Sequence, residues 1–250
     1  MAAVFTRPLP FTVLSADQGT YATAANANDD RPGMVWRTTG LAGFVVLDMG
    51  AGAAYDTVAI VGSTLLATDT VRVRTGTAAT GIGVTDTAAR VAFTGIKPEG
   101  FTTKTIFTLG KRTERYVRID FVSAAIVEVQ RIVVGPSIAT VGLDFGPEHS
   151  VIDSSEINTT LGADTVETGL RKAKWKCSMS MVTADDWRNT WIGFFASVGK
   201  STPILFNPFS DEPNNYQADV VYGRLRTDAT SEIQGGIYRT VQLTVEGLAL

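Results

Sequence analysis

Mainly β structure, in two β-sandwich-type domains of which the second carries one packed α-helix, is the fold class predicted by this 250-residue sequence. Three observations point there. Short segments of alternating apolar and polar residues recur along the chain, parted by Gly, Thr, Asp and Asn at fairly regular intervals, which is the pattern of antiparallel sandwiches and barrels. Thr and Val are abundant through the first half, and their β-branched side chains suit a pleated sheet better than a helix. The texture then changes: strand-like Val127 to Val134 closes on Gly135 and Pro136, and a polar, Gly-spotted stretch runs from Gly142 to Gly169. A boundary near residue 137 divides the chain into residues 1–137 and 138–250. Hydrophobic residues make up 44% and charged residues 19%, the composition of an ordered globular chain.

The elements follow in order. Val71 and Val73 alternate with Arg72 and Arg74, and Val117, Ile119 and Phe121 alternate with Tyr116, Arg118 and Asp120, so each strand offers one face to a core. Little helix is expected before residue 180. Trp175, Cys177, Met179 and Met181 fall on one face of a half-buried strand, with Lys176, Ser178 and Ser180 on the other. A helix over about 183–198 comes next. Thr183 suits its N-cap, Asp185 and Asp186 suit the positive end of its dipole, and Gly199 terminates it. Trp187, Trp191, Phe194, Phe195 and Val198 form one apolar stripe on it that must be covered. Pro203 to Phe209 reads as a strand, Asp211 to Asn215 as a turn, Gln217 to Leu225 as the return, and Val241, Leu243 and Val245 as one face of a last strand. The long segment 142–169 is expected to reach a neighbouring subunit or ring as an extended hairpin, and residues 138–250 to fold alone.

Candidate chemistry is sparse. The formal charge is −3 with no basic run, which argues against nucleic acid. Cys177, the single cysteine, cannot form an internal disulfide, and its place on a core face predicts an inert thiol. No Cys/His cluster has zinc spacing, so neither metal nor cofactor is expected; the nearest thing to a metal site is Asn28, Asp29 and Asp30. No apolar run is long enough to enter a membrane, and residues 1–10 lack the features of a secretory signal, which predicts synthesis in a cytosol. His149, the only histidine, reads as an exposed loop residue beside Glu148. The pairs Asp29, Asp30 and Asp185, Asp186 read as solvated loop and helix cap. Gly81 and Gly83 lack the lysine and helix of a phosphate loop. The chain is therefore expected not to be an enzyme. Among the aromatic residues, Tyr21 and Trp36 are the pair that could face a glycan.

Two resemblances add to this reading. Ala24-Ala25-Asn26-Ala27-Asn28-Asp29-Asp30, then Trp36-Arg37-Thr38 and Phe44-Val45-Val46-Leu47-Asp48-Met49-Gly50, resemble the loop, tryptophan and strand end of the discoidin, or galactose-binding-like, sandwich. Tyr55 to Gly62, Arg115 to Phe121 and Val129 to Gly135 are similar to its later strands, so the likeness spans most of residues 12–136. It implies that Trp36 and Asp48 serve the fold. Residues 140–250 resemble the tail-tube-like ring domain of phage distal tail proteins, in the strand Trp175 to Met181, the helix start Thr183 to Trp187, Phe194-Phe195, Pro203 to Phe209, Tyr222 to Leu225 and Val241 to Glu246. In those proteins the ring domain often comes first, whereas here it comes last. This second resemblance implies a virion structural protein of a tail tip or baseplate, made in the bacterial cytoplasm and carried in the tail. Its implied partners are itself, as a hexameric ring, and tail-tube and hub proteins. The alternative is a carbohydrate-binding module or an adhesin for host-surface glycan.

Overall fold

The computed structural model describes residues 2–97, 102–140, 142–144, 146–160, 163–210, 219–234 and 238–248. In chain order the strands begin with β1 (Val4–Thr6), β2 (Thr12–Ala16), β3 (Trp36–Arg37), β4 (Ala42–Asp48), β5 (Tyr55–Ser63), β6 (Thr70–Gly76), β7 (Thr85–Asp86) and β8 (Arg90–Val91). Next come β9 (Thr103–Arg112), β10 (Tyr116–Val122), β11 (Glu128–Gly135) and β12 (Ser137–Ala139). β13 (Glu148–Asp153), β14 (Glu156–Thr160), β15 (Ala163–Glu167) and β16 (Arg171–Thr183) precede the helix. After it come β17 (Ile204–Asn207), β18 (Val221–Leu225), β19 (Thr230–Gln234) and β20 (Tyr238–Gly247). The chain is mainly β, as its alternating segments predict.

Residues 12–135 form an antiparallel sandwich. One sheet runs β2-β4-β10-β6-β7 with β8 beside β6, and the other runs β3-β11-β5-β9. Their inner faces meet through Val45, Leu47, Val117 and Ile119 on one side and Val58, Ile60, Phe107 and Ile132 on the other, all buried. Each such side chain contributes about 1.5–3 kcal/mol on leaving water. A 3-10 turn at Ala24–Asn28 closes one end, burying Ala24 and Ala27.

The second sheet runs β12-β1-β17-β18-β20-β16-β13, with β19 beside β20. Its first strand corrects the sequence boundary. Residues 4–6 were expected in the first unit, yet β1 pairs with β12 and with β17 inside the second sheet. Phe5 is fully buried there, its ring 4.7 Å from that of Phe206 and 5.6 Å from that of Trp191. Pairing β1 in this way places an aromatic anchor under the helix.

The helix is Ala184–Asp186, a π-type stretch Trp187–Trp191, and Ile192–Val198. Thr183 caps it, its Oγ1 accepting from the Asp186 N–H at 3.0 Å, and Gly199 ends it at φ 52°. The π stretch was not expected; one extra residue in the turn rotates everything before it relative to a straight α-helix. Trp191, Phe194 and Val198 are buried, while Trp187 and Phe195 pack at the rim of the same cluster.

Two details of the neighbouring strands differ from expectation. Register slips between Met179 and Val182 in the β16–β20 ladder, Met181 takes φ 61°, and its side chain turns outward while Val182 turns in. Such a bulge inverts the inside–outside alternation beyond it. After the helix the strand is Ile204–Asn207, and its expected return is Val221–Leu225; the turn expected at Asp211 to Asn215 lies outside the described residues.

Candidate functional site

β13 and β16 do not stop at the edge of the sheet. Their last pair there is Asp153 with Arg171, then the Ser154 N–H donates to the Leu170 carbonyl, and the ribbon continues as β14 with β15. The five pairs from Glu156↔Glu167 to Thr160↔Ala163 project roughly 17 Å at about 3.4 Å per residue. Within this arm Ile157 faces Val166 across the ribbon, and both are exposed, at 68% and 58%. Glu156 sits opposite Glu167. Like charges directly opposite each other destabilise a ribbon, so the arm is poorly suited to stand alone. At its root Gly169 admits no side chain, because a Cβ there would meet the Ser154 backbone at 2.2 Å.

The two units meet along a second, mostly apolar surface. Ala59, Val61 and Val133 on the outer face of β5 and β11 pack on Leu205, Val220 and Tyr222 of the second sheet. Arg131 is buried among them. Its guanidinium donates to Tyr222 Oη at 3.1 Å, the Ala27 carbonyl at 3.1 Å and Asn28 Oδ1 at 2.7 Å, and pairs with Asp30 at 3.0 Å. Tyr222 in turn donates to Asp30 at 2.7 Å, and burial raises its phenol above the ordinary range. Asp30 is therefore a partner in this seam, not the solvated loop carboxylate that the sequence suggests. Asp29 pairs with Arg31, whose hydrogen bonds lower its carboxyl to about 2.

A second polar group lies farther along the seam. His149 is in β13, not a loop, and stacks on Trp175 with centroids 4.5 Å apart and ring planes 3° from parallel. Its Nδ1 is 3.7 Å from Asp219 Oδ1, while the Trp175 indole N–H donates to the Asp219 carbonyl at 2.9 Å. Desolvation lowers the His149 imidazole and raises the Asp219 carboxyl, and burial lowers the Lys104 ammonium to about 8.

The other residues singled out by sequence separate cleanly. Tyr21 is 97% exposed in the loop before the 3-10 turn. Trp36 is fully buried, edge-on to Phe121 at 5.4 Å with its indole N–H donating to the Asp17 carbonyl. It belongs to the core, as the sandwich resemblance implies, and has no face for a glycan; the expected pair reduces to Tyr21. Asp48 receives both Arg115 donors, at 2.8 and 2.7 Å, and the Gly50 N–H, a clasp on the strand end. Cys177 is buried and its thiol pushed up to about 12. Asp186 accepts from the Thr183 hydroxyl at the helix start, while Asp185 faces Arg188 at 3.6 Å. Among the described residues no group of three His, Cys, Asp or Glu is placed to hold a metal ion, and no helix is long and apolar enough to cross a membrane.

No family model matches the chain, and no curated protein sequence matches it. Among solved structures, it is similar to chitosan-binding module 1 of a chitosanase/glucanase from Paenibacillus sp. IK-5, at 18% identity over 52% of this chain and 98% of that one, with TM-score 0.36. It is similar to a pectin-binding carbohydrate-binding module, at 12% identity over 52% and 91%, TM-score 0.36. A GH29 fucosidase of Ruminococcus gnavus matches at 18% identity and TM-score 0.35, over 51% of this chain. The chain spans about a quarter of the length of that fucosidase. At such scores the likenesses transfer no function.

Proposed function

We propose that this chain is a non-enzymatic structural subunit that assembles with copies of itself into a ring of the kind found at the distal end of a phage-type tail. The second sheet carries the assembly, and the sandwich faces outward. The observation behind this reading is the arm β14–β15, a ribbon whose apolar pair Ile157 and Val166 and like-charged pair Glu156 and Glu167 are exposed, without cover from the described residues. Ribbons of this kind gain stability from a partner surface. Tail-tube and hub proteins are the neighbours proposed on either side of the ring, and the tail of a virion made in a bacterial cytoplasm is the proposed location. Mass spectrometry of purified tail particles from the source tests this: the polypeptide is expected in stoichiometric amounts, and its absence from them overturns the reading.

A second reading, carbohydrate recognition by the sandwich, is favoured by one observation: Tyr21 offers a nearly fully exposed aromatic ring on a loop. Aromatic faces with polar neighbours suit sugar rings. Glycan-array binding by the full chain, lost in Tyr21→Ala with the thermal melt unchanged, would establish it; an array without signal removes it.

A further inference from the structure

Building on the assembly reading, we propose that the acidic arm of one copy docks on the lysine-bearing face of β16 in the next copy. The arm from Glu156 to Glu167 contains Glu156, Asp164 and Glu167 and no Lys or Arg. The three carboxylates lie on an exposed ribbon, and a cation between Glu156 and Glu167 would relieve their opposition.

The complementary surface is on the same chain but out of the arm's reach. Lys172, Lys174 and Lys176 alternate with core residues Ala173, Trp175 and Cys177 and so share the face of β16 turned away from the helix. Among the described residues none of the three lysines is in an ion pair; Glu246, the carboxylate beside Lys174, is held by Arg226 at 2.5 and 2.6 Å. Where this face meets β20 there is a groove of about 570 Å³, lined by Glu148, Lys176, Ser178, Asp228, Gln242 and Thr244 among others. The arm leaves from the Arg171 end of β16 and runs away from the groove, which lies toward Ser178. Only another copy can bring an arm there. A contact between two different surfaces of identical chains is heterologous, and it closes into a ring when the rotation per subunit divides a full turn. Lys172, Lys174 and Lys176 outnumber the carboxylate Glu148 on this face, and Asp228 is already paired with Lys200 at 3.0 Å, so charge would select this pairing over arm-to-arm contact.

Sedimentation velocity on the full chain tests the docking. Wild-type protein is expected to self-associate with rising concentration and to do so less as salt screens the contact. Glu156→Lys with Glu167→Lys, or Lys174→Glu with Lys176→Glu, should each weaken association about tenfold or more. Combining the two sets should restore it in large part. If the lysine set fails to fold, judged by its thermal melt, Lys174→Gln with Lys176→Gln takes its place and should still weaken association. Association that is unchanged by either set overturns the docking and leaves the assembly reading standing. A wild-type chain that stays monomeric at every concentration, and is absent from tail particles, overturns both.

Discussion

Arg131 shows how much one side chain can hold. It is 6% exposed at the side chain, and its donors reach Tyr222 of the second sheet and Ala27, Asn28 and Asp30 of the first unit. Arg131→Met would leave Asp30 and the Tyr222 hydroxyl without their cation, and breaking such a pair costs about 3–5 kcal/mol. Tyr222→Phe removes two hydrogen bonds, the one accepted from Arg131 and the one donated to Asp30, and should cost about 1–3 kcal/mol; urea denaturation of both variants measures the difference. Lys104 makes a pH prediction. Burial depresses its folded-state value to about 8 from the ordinary 10.5. Below pH 8 the lysine is charged in both states and its desolvation weighs against folding; as pH rises from 8 to 10.5 the folded chain sheds the proton first, so stability rises. Lys104→Met should lack that rise when melts are compared across the window. Of these residues the sequence made Trp36 and Asp48 legible through their place in a recognisable pattern. Arg131, Lys104 and Asp219 were illegible because their roles arise from chain segments far apart in sequence. A weaker signal was present: Ala59-Ile60-Val61 and Ile132-Val133-Val134 are apolar at consecutive positions, which marks strands covered on both faces.

At the scale of elements, the helix and the arm make opposite demands. Trp191 is buried, edge-on to Phe5 at 5.6 Å and Phe194 at 6.1 Å. Trp191→Ala should cost about 3–5 kcal/mol, read as a lower melting temperature. Gly169→Ala should act on the arm instead. Its Cβ would strike the backbone at Ser154, so the ribbon root must shift. The melt of the whole chain should barely move, while amide exchange over residues 156–167 should quicken. A melt lowered as far as that of Trp191→Ala would show that the arm root belongs to the cooperative core. The helix was legible because cap, dipole residues and stop all agreed with one apolar stripe. The arm was legible as a long polar segment with no place in a core. The bulge that turns Met181 outward and the π stretch at Trp187–Trp191 were not, since both insert a single residue into a pattern whose period remains visible on either side.

For the whole molecule the decisive feature is β1. Residues 138–250 alone lack the strand that joins β12 to β17, and they lack Phe5 beneath the helix. They should therefore be unfolded or aggregated, contrary to what a boundary at residue 137 suggests. Joining residues 1–8 to their C-terminus through a flexible linker, or supplying those residues as a peptide, should recover a cooperative melt; a cooperative melt without them would show that β1 is dispensable. Sequence could not reveal this arrangement. Val4-Phe5-Thr6 is a three-residue strand with no periodicity to read, and its partners lie more than 130 positions away.

That arrangement sets an order of events on the ribosome. β1 is translated before every strand it pairs with, and β17, its neighbour on one side, appears about two hundred residues later. At about 5–20 residues per second this is a wait of roughly ten to forty seconds. During that interval the sandwich can complete itself, since among the described residues its strands pair only with each other. Its closing hydrogen bonds include the Leu9 N–H to the Val134 carbonyl and the Arg7 N–H to the Pro136 carbonyl. These tether the nascent β1 segment beside the point where β12 emerges. The earlier unit would then act as an intramolecular holder, keeping an apolar strand out of mischief and presenting it, already positioned, to the unit that has yet to be made.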